Sequence, residues 1–307
     1  MRDRSLALGL EAAAADASEV RDYWVLLKPN VMSLAVFSAA AGLYLAPGGL
    51  HPLLMAVAVL CIAVAAGAAG AINNSYDADI DRLMMRTRRR PTATGRIRPD
   101  SALAFGVILA GMSVMVMGLA LNWVAATVLA VTIAFYGLVY TVWLKRRTPQ
   151  NIVIGGAAGA FPPIAGWAAV TGDVSLAPIA LFLIIFFWTP PHFWALALDR
   201  SQDYARVGVP MLPVVAGAEK TRRHILAYTL ILLPVSLLPW WLGLSSGLYA
   251  LAALGLGGEF VRLAFRLWRG GSNRIAMRTF RYSVLYLFGV FSALVLDKAL
   301  HTWVVAW

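Results

Sequence analysis

The chain has 307 residues, 60% of them hydrophobic and 13% charged, with a mean hydropathy of +0.73. An ordinary soluble domain is about 45–50% apolar and about 25% charged, so a soluble globular protein and a disordered one are excluded and a polytopic membrane protein is expected. The formal charge of +11, from 26 Lys+Arg against 15 Asp+Glu, points to basic loops facing anionic lipid or an anionic substrate, ahead of nucleic acid.

Residues 1–23 are Ala-rich but broken by Asp3, Glu11, Asp16, Glu19 and Asp22. A signal peptide needs an unbroken apolar stretch and a transit peptide avoids acids. We therefore expect a short cytoplasmic N-terminal segment, 1–23, before a single transmembrane domain, 24–307, in a bacterial inner membrane. Nine apolar stretches follow, at roughly 24–46, 52–72, 101–120, 122–143, 151–171, 176–198, 224–243, 247–268 and 282–304. Backbone polar groups in lipid must be paired within each segment, so the fold class is all-α. The eighth stretch is the most polar, with Glu259, Arg262 and Arg266 in its second half, where long side chains can snorkel to the interface. Cys61 is the single cysteine, so one chain forms no disulfide and no paired-cysteine metal or haem attachment.

Basic residues test this layout. With the N-terminus inside, the inner segments hold four (Arg2, Arg4, Arg21, Lys28), then seven in 74–100, three in 144–150, five in 199–223 and six in 261–281. Only Lys298 lies elsewhere, which is the asymmetry that the positive-inside rule predicts. The expected orientation is N-terminus in and C-terminus out. The inner connections 2–3 and 6–7 are long, so the chemistry is expected at the cytoplasmic face.

The second stretch runs into Asn73, Asp77 and Asp81 at four-residue intervals, with Asn74 three residues before Asp77. A continued helix stacks them on one face. Stacked carboxylates repel unless a cation lies between them, and Mg²⁺ takes one or two carboxylates plus phosphate oxygens. Asp79 falls off that face. A solvated acidic helix end is the plainer alternative, but it leaves unexplained why so acid-poor a chain clusters carboxylates at a membrane mouth. Arg82, Arg86 and Arg88–Arg90 follow at once. They serve as a topology signal and also as forks for phosphate.

The sixth stretch ends the same way, with Asp199 and Asp203 four residues apart. Stretches two and six run in the same direction, which suggests two four-helix units, 1–4 and 5–8, plus a ninth helix, with a ligand between two related half-sites. The short connection 4–5 adds Lys145 and Arg146 on the same side, followed by Asn151. The metal candidates are Asp77, Asp81, Asp199 and Asp203. The catalytic candidates are Asn73, Asn74, Asp77, Asp81, Asp203 and His192; His192 lies two turns before Asp199 and is either a haem or acid–base residue or simple packing. Substrate-binding candidates are Lys28, Arg86, Arg90, Tyr140, Lys145, Arg146, Asn151 and Arg206.

These features resemble the UbiA-type intramembrane prenyltransferases, which have nine helices and Asp-rich motifs on the cytoplasmic connections 2–3 and 6–7. Asn74 stands where most of that family has Asp, a departure typical of its haem-farnesylating branch. LLKPN at 26–30, DRLMMRTRRRP at 81–91, LKRRTPQNIVIGGAAGAFPPIAGWAAVTG at 144–172, WTPPHFWALA at 188–197 and DYARVGVPMLPV at 203–214 carry the likeness to that branch. Asp203 matches the acid of the branch's DY element, while Asp199 sits where the branch often has an uncharged residue. The resemblance implies Mg²⁺-dependent transfer of a farnesyl group from farnesyl diphosphate to a vinyl group of haem B. The product would be haem O for terminal oxidases, with a haem A synthase or oxidase assembly factors as partners. The alternatives are a prenyltransferase with another aromatic or tetrapyrrole acceptor, a membrane transporter, and an assembly factor with lipid-binding loops.

Overall fold

The computed structural model describes residues 19–305, with side chains through residue 300. Most of the expected N-terminal segment, 1–18, and the side chain of His301 lie outside the described residues. Among the described residues all regular structure is helical. Eight helices are long and apolar enough to cross a membrane, and a bent pair supplies a ninth crossing.

We number the crossings α1 to α9. A short helix, Val20–Leu26, meets α1 (Pro29–Leu45) at a bend of 54°. The expected first stretch is thus not one rod, and the boundary drawn at residue 23 falls inside the short helix. The break is at Lys28, whose φ of 52° is left-handed, a conformation that costs a non-glycine residue roughly 1–2 kcal/mol. Pro29 then starts α1 at the position where a missing N–H is harmless. α2 (Pro52–Tyr76), α3 (Pro99–Ala120), α4 (Trp123–Leu144), α5 (Asn151–Thr171) and α6 (Leu176–Asp199) lie close to the expected stretches. α7 (Gly217–Trp241) and α9 (Asn273–Val305) start earlier than residues 224 and 282, and α8 is Gly247–Trp268. Hydropathy marks where the bilayer begins; the helical backbone runs on into the basic turns outside it, such as Arg274–Arg281.

Small residues set the close crossings, as van der Waals contact must do in lipid. At Gly42 of α1 an added Cβ would lie 2.3 Å from the Pro163 carbonyl oxygen of α5, and at Gly166 of α5 it would lie 2.1 Å from that of Ala39. Two apolar clusters flank this seam. One joins α1 to α2, α3, α4 and α5 through Leu43, Ile62, Met117, Leu129 and Ala165. The other joins α1 and α5 to α6, α7, α8 and α9 through Leu45, Trp167, Ile184, Phe260 and Phe291. The expected two units are visible as two cores, with α1 and α5 shared between them. α9 packs on α8, α6 and α1 and so closes the ring. A third cluster at the basic end holds Ile80 and Met84 of connection 2–3 against Tyr204 and Met211 of connection 6–7, so the two acidic connections meet there.

Candidate active site

α2 stops at Tyr76, Asp77 adopts a turn conformation, and a six-residue helix, Ala78–Leu83, restarts at once. The continuous helix expected from the spacing is therefore broken. Asp77 N still donates to Asn73 O at 3.0 Å and Asp81 N to Asp77 O at 2.9 Å, so the four-residue register survives the break. Asp77 and Asp81 are 0% and 1% exposed, while Asp79 points out to solvent.

These buried acids lie in a network spanning five segments. Lys28 Nζ donates to Asn73 Oδ1 at 2.7 Å, and Asn73 Nδ2 donates to Asp77 Oδ2 at 2.7 Å and to Thr141 Oγ1 at 3.1 Å. Lys145 Nζ also bonds Asp77 Oδ2. Arg90 Nη1 donates to Asp81 Oδ2 at 2.7 Å. Arg146 forks onto Asp79 with two bonds of 2.7 Å, donates to the Tyr76 carbonyl at 2.9 Å and lies over the Tyr76 ring. Those bonds hold the Asp79 carboxyl below the usual carboxylate range. Asn74 faces another way: its Nδ2 donates to the Leu26 carbonyl at 3.2 Å, pinning the end of the short helix above the Lys28 break.

The lower half of α4, Phe135–Leu144, is a π-helix, a widening found mostly at functional sites. It places Thr141, Lys145 and Arg146 toward Asn73 and Asp77. Tyr140 stacks on Tyr136, ring centroids 5.4 Å apart, and lies so close to Gly155 of α5 that a Cβ there would be 2.2 Å from Tyr140 Cδ2. Asn151 starts α5, fully buried, with Nδ2 donating to the Lys145 carbonyl at 3.3 Å. Arg86 is exposed and makes no ion pair among the described residues.

α6 repeats the plan. It ends at Asp199, the chain turns at Arg200, and a six-residue helix, Ser201–Arg206, carries the buried Asp203. Here the ion pairs are local: Asp199 with Arg200 at 3.2 Å and Asp203 with Arg206 at 3.4 Å.

Among the described residues no three His, Cys, Asp or Glu side chains converge as a ready metal cluster. Each carboxylate faces a cation of its own chain instead. Two oxygens of the hard type that divalent ions take are nevertheless left without a donor: Asp77 Oδ1 and Asn74 Oδ1 are buried and, among the described residues, accept no hydrogen bond. Such orphans are costly unless a ligand or ion satisfies them.

His192 lies deeper in α6, buried between Trp188 and Phe280 with Nδ1 at 2.7 Å from Ser283 Oγ. Sequence reasoning missed Ser283, because a lone serine in an apolar helix has no distinguishing spacing. It also missed Thr141 and the Asp22–Arg96 ion pair at 3.0 Å, which ties the short N-terminal helix to connection 2–3. Thr141 had one signal: it precedes Lys145 by a single helical turn.

Comparison with known proteins comes to the same place from outside. Residues 35–292 match the UbiA prenyltransferase family. A protoheme IX farnesyltransferase of Parvibaculum lavamentivorans is 59% identical over 284 residues, covering 91% of this chain and 89% of that one. Among solved structures, a digeranylgeranylglyceryl phosphate synthase superposes with a TM-score of 0.75 at 18% identity, covering 91% and 98% of the two chains. A UbiA homolog from Archaeoglobus fulgidus bound to DMAPP and Mg²⁺ gives 0.67 at 18% identity, covering 89% and 99%.

Proposed function

The chain belongs to the UbiA prenyltransferase family, and on that premise we propose that it transfers the farnesyl group of farnesyl diphosphate to a vinyl group of haem B, giving haem O. The observation that supports this most is the pairing of a 59% identical protoheme IX farnesyltransferase with a buried carboxylate–cation network at one membrane mouth. A transporter would be expected to keep its ionisable residues near the mid-plane. Here they gather at one end.

In this reading Lys145, Arg90 and Arg146 leave their carboxylates, and Lys28 leaves the Asn73 amide oxygen, to grip the diphosphate, and exposed Arg86 and Arg206 guide it in. The exchange keeps charge paired throughout, so no buried carboxylate is stranded. Asp77 and Asp81, with Asn74 Oδ1 and Asp203 from the facing connection, would hold Mg²⁺, while Asp199 stays peripheral; a metal held there would supply positive charge against the charge that builds on the departing diphosphate. Asn73 sets the positions of Lys28 and Asp77 together. Tyr136 and Tyr140 offer ring faces to the allylic cation, worth about 0.5–2 kcal/mol each when desolvated. The surrounding helices keep water away until the vinyl carbon has attacked. Asn151 supports the Lys145 backbone.

The basic end is cytoplasmic, with the N-terminus inside, the C-terminus outside and the protein in the inner membrane. The one-sided distribution of Lys and Arg supports this. Substrates are farnesyl diphosphate and haem B, drawn from water and bilayer; a haem A synthase or oxidase assembly factor would receive the product. The test is to incubate the protein in nanodiscs with haem B, farnesyl diphosphate and Mg²⁺ and weigh the extracted haem. The expected product is heavier by one farnesyl and one hydroxyl group, because the water that adds after the vinyl carbon's attack gives up a proton. Unmodified haem, with diphosphate released on another aromatic acceptor, would replace the acceptor.

A further inference from the structure

We infer that Ser283 is a positioning residue for His192: it fixes the imidazole as its Nδ1–H tautomer and leaves the Nε2 lone pair to take the iron of the haem substrate. The inference rests on the reading that haem is the acceptor.

A serine hydroxyl has one hydrogen. Ser283 Oγ donates it to the Phe280 carbonyl at 2.6 Å, within α9. His192 Nδ1 lies 2.7 Å from the same oxygen, so Nδ1 must be the donor. The opposite assignment would leave two oxygens 2.6 Å apart with no hydrogen between them. The tautomer is therefore set by the helix that faces the histidine, as metal-bound imidazoles commonly have theirs set by an outer partner.

The rest of the site holds the ring still. Trp188 Nε1 donates to the Ser283 carbonyl at 2.6 Å, so two side chains of α6 bind one residue of α9. Trp188 and Phe280 stack on the imidazole with centroids at 4.2 and 4.7 Å, and Phe193 meets it edge-on at 4.9 Å. Among the described residues Nε2 has no hydrogen-bond partner, and the residue keeps 8% exposure. A nitrogen lone pair is thus fixed in direction, unpaired and reachable, in an aromatic surround that suits a flat macrocycle. It lies about 10 Å from Asp199 along the helix, two turns below the acidic end. A histidine that merely packs would be free to satisfy both ring nitrogens.

The full-length protein in nanodiscs is titrated with ferric haem B and followed by its Soret and visible bands. Wild type is expected to give an imidazole-ligated spectrum. His192→Ala loses it, and added imidazole restores it. Ser283→Ala keeps the spectrum but weakens haem binding by about 10–100-fold, with KM for farnesyl diphosphate unchanged; Ser283→Thr, which keeps the hydroxyl, behaves as wild type. A wild-type spectrum and affinity in His192→Ala would overturn the assignment. So would Ser283→Ala raising the KM of both substrates alike, the mark of a structural defect. If wild type itself bound no haem, the acceptor reading would fall, and this inference with it.

Discussion

The ends of α2 and α6 are built to one plan and held in two ways. Each long helix breaks at its last turn and restarts as six residues carrying a buried aspartate. At the α2 end, Asp77 is bound by Lys145 of connection 4–5, 68 residues away, and Asp81 by Arg90, nine residues on. At the α6 end, Asp199 and Asp203 pair, among the described residues, with arginines one and three residues away. Long-range pairs between enclosed groups fix geometry in advance; short, half-exposed pairs give way readily. On the proposed reading, the carboxylates of the first segment are the preset half of the site, and those of the second are the half that adapts when substrate arrives.

The largest effects should come from the preset half. Asp77→Asn or Asp81→Asn is expected to lower haem O formation by about 10²–10³-fold or more while the folded protein is retained, as checked by gel filtration and circular dichroism. Chelation with EDTA should stop turnover to a similar degree, and added Mg²⁺ should restore it. Lys145→Met comes next. It removes the nearer of the two cations that face the fully enclosed Asp77 carboxylate, leaving Arg146 at 3.8 Å, so it should cost about 3 kcal/mol of stability, read as a lower Tm, together with most of the turnover. The equivalent change in the second half, Arg206→Ala, should cost under about 1 kcal/mol, because more than half of that side chain is in solvent. Equal Tm losses in these two variants would erase the contrast.

Asp199→Asn should change turnover by only a few-fold, well below Asp203→Asn, since Asp199 pairs with the exposed Arg200. The smallest effect belongs to Asp79. Arg146 holds its carboxyl below the usual range, so this ion pair contributes above the ordinary carboxylate pKa. The contribution is lost as pH falls through the depressed value. Because Asp79 is largely exposed, Asp79→Asn should leave turnover at neutral pH within about twofold and flatten only the acid limb of a Tm-against-pH curve.

Most of the architecture was legible because a bilayer demands long apolar helices, and the side-chain charges mark their ends. The positions of α2 to α6 followed from the apolar stretches themselves, to within a few residues at most of their ends. The acids and their cations were legible too, from the four-residue spacing of Asn73, Asp77 and Asp81. What stayed hidden depends on backbone detail or distant packing. The left-handed turn at Lys28 requires knowing that Asn73 holds the Lys28 side chain and Asn74 the Leu26 carbonyl before it. The π-helix over Phe135–Leu144 has no periodic signature, yet it carries Thr141 to Asn73 and leads into Lys145 at Asp77. Tyr140 looked like a free ring at the mouth; its close seat against Gly155 appears only once α4 and α5 are packed. The break at Asp77 was missed because aspartate at that spacing reads as helix until the buried pair with Lys145 competes with it.

One binding measurement tests the contrast most directly. A non-hydrolysable farnesyl thiodiphosphate is titrated calorimetrically into wild type, Asp77→Asn and Asp199→Asn, each with and without Mg²⁺. The account predicts Mg²⁺-dependent binding in wild type and Asp199→Asn, and its loss in Asp77→Asn. Undiminished Mg²⁺-dependent binding in Asp77→Asn, with loss in Asp199→Asn, would contradict it and move the preset half of the site to the end of α6.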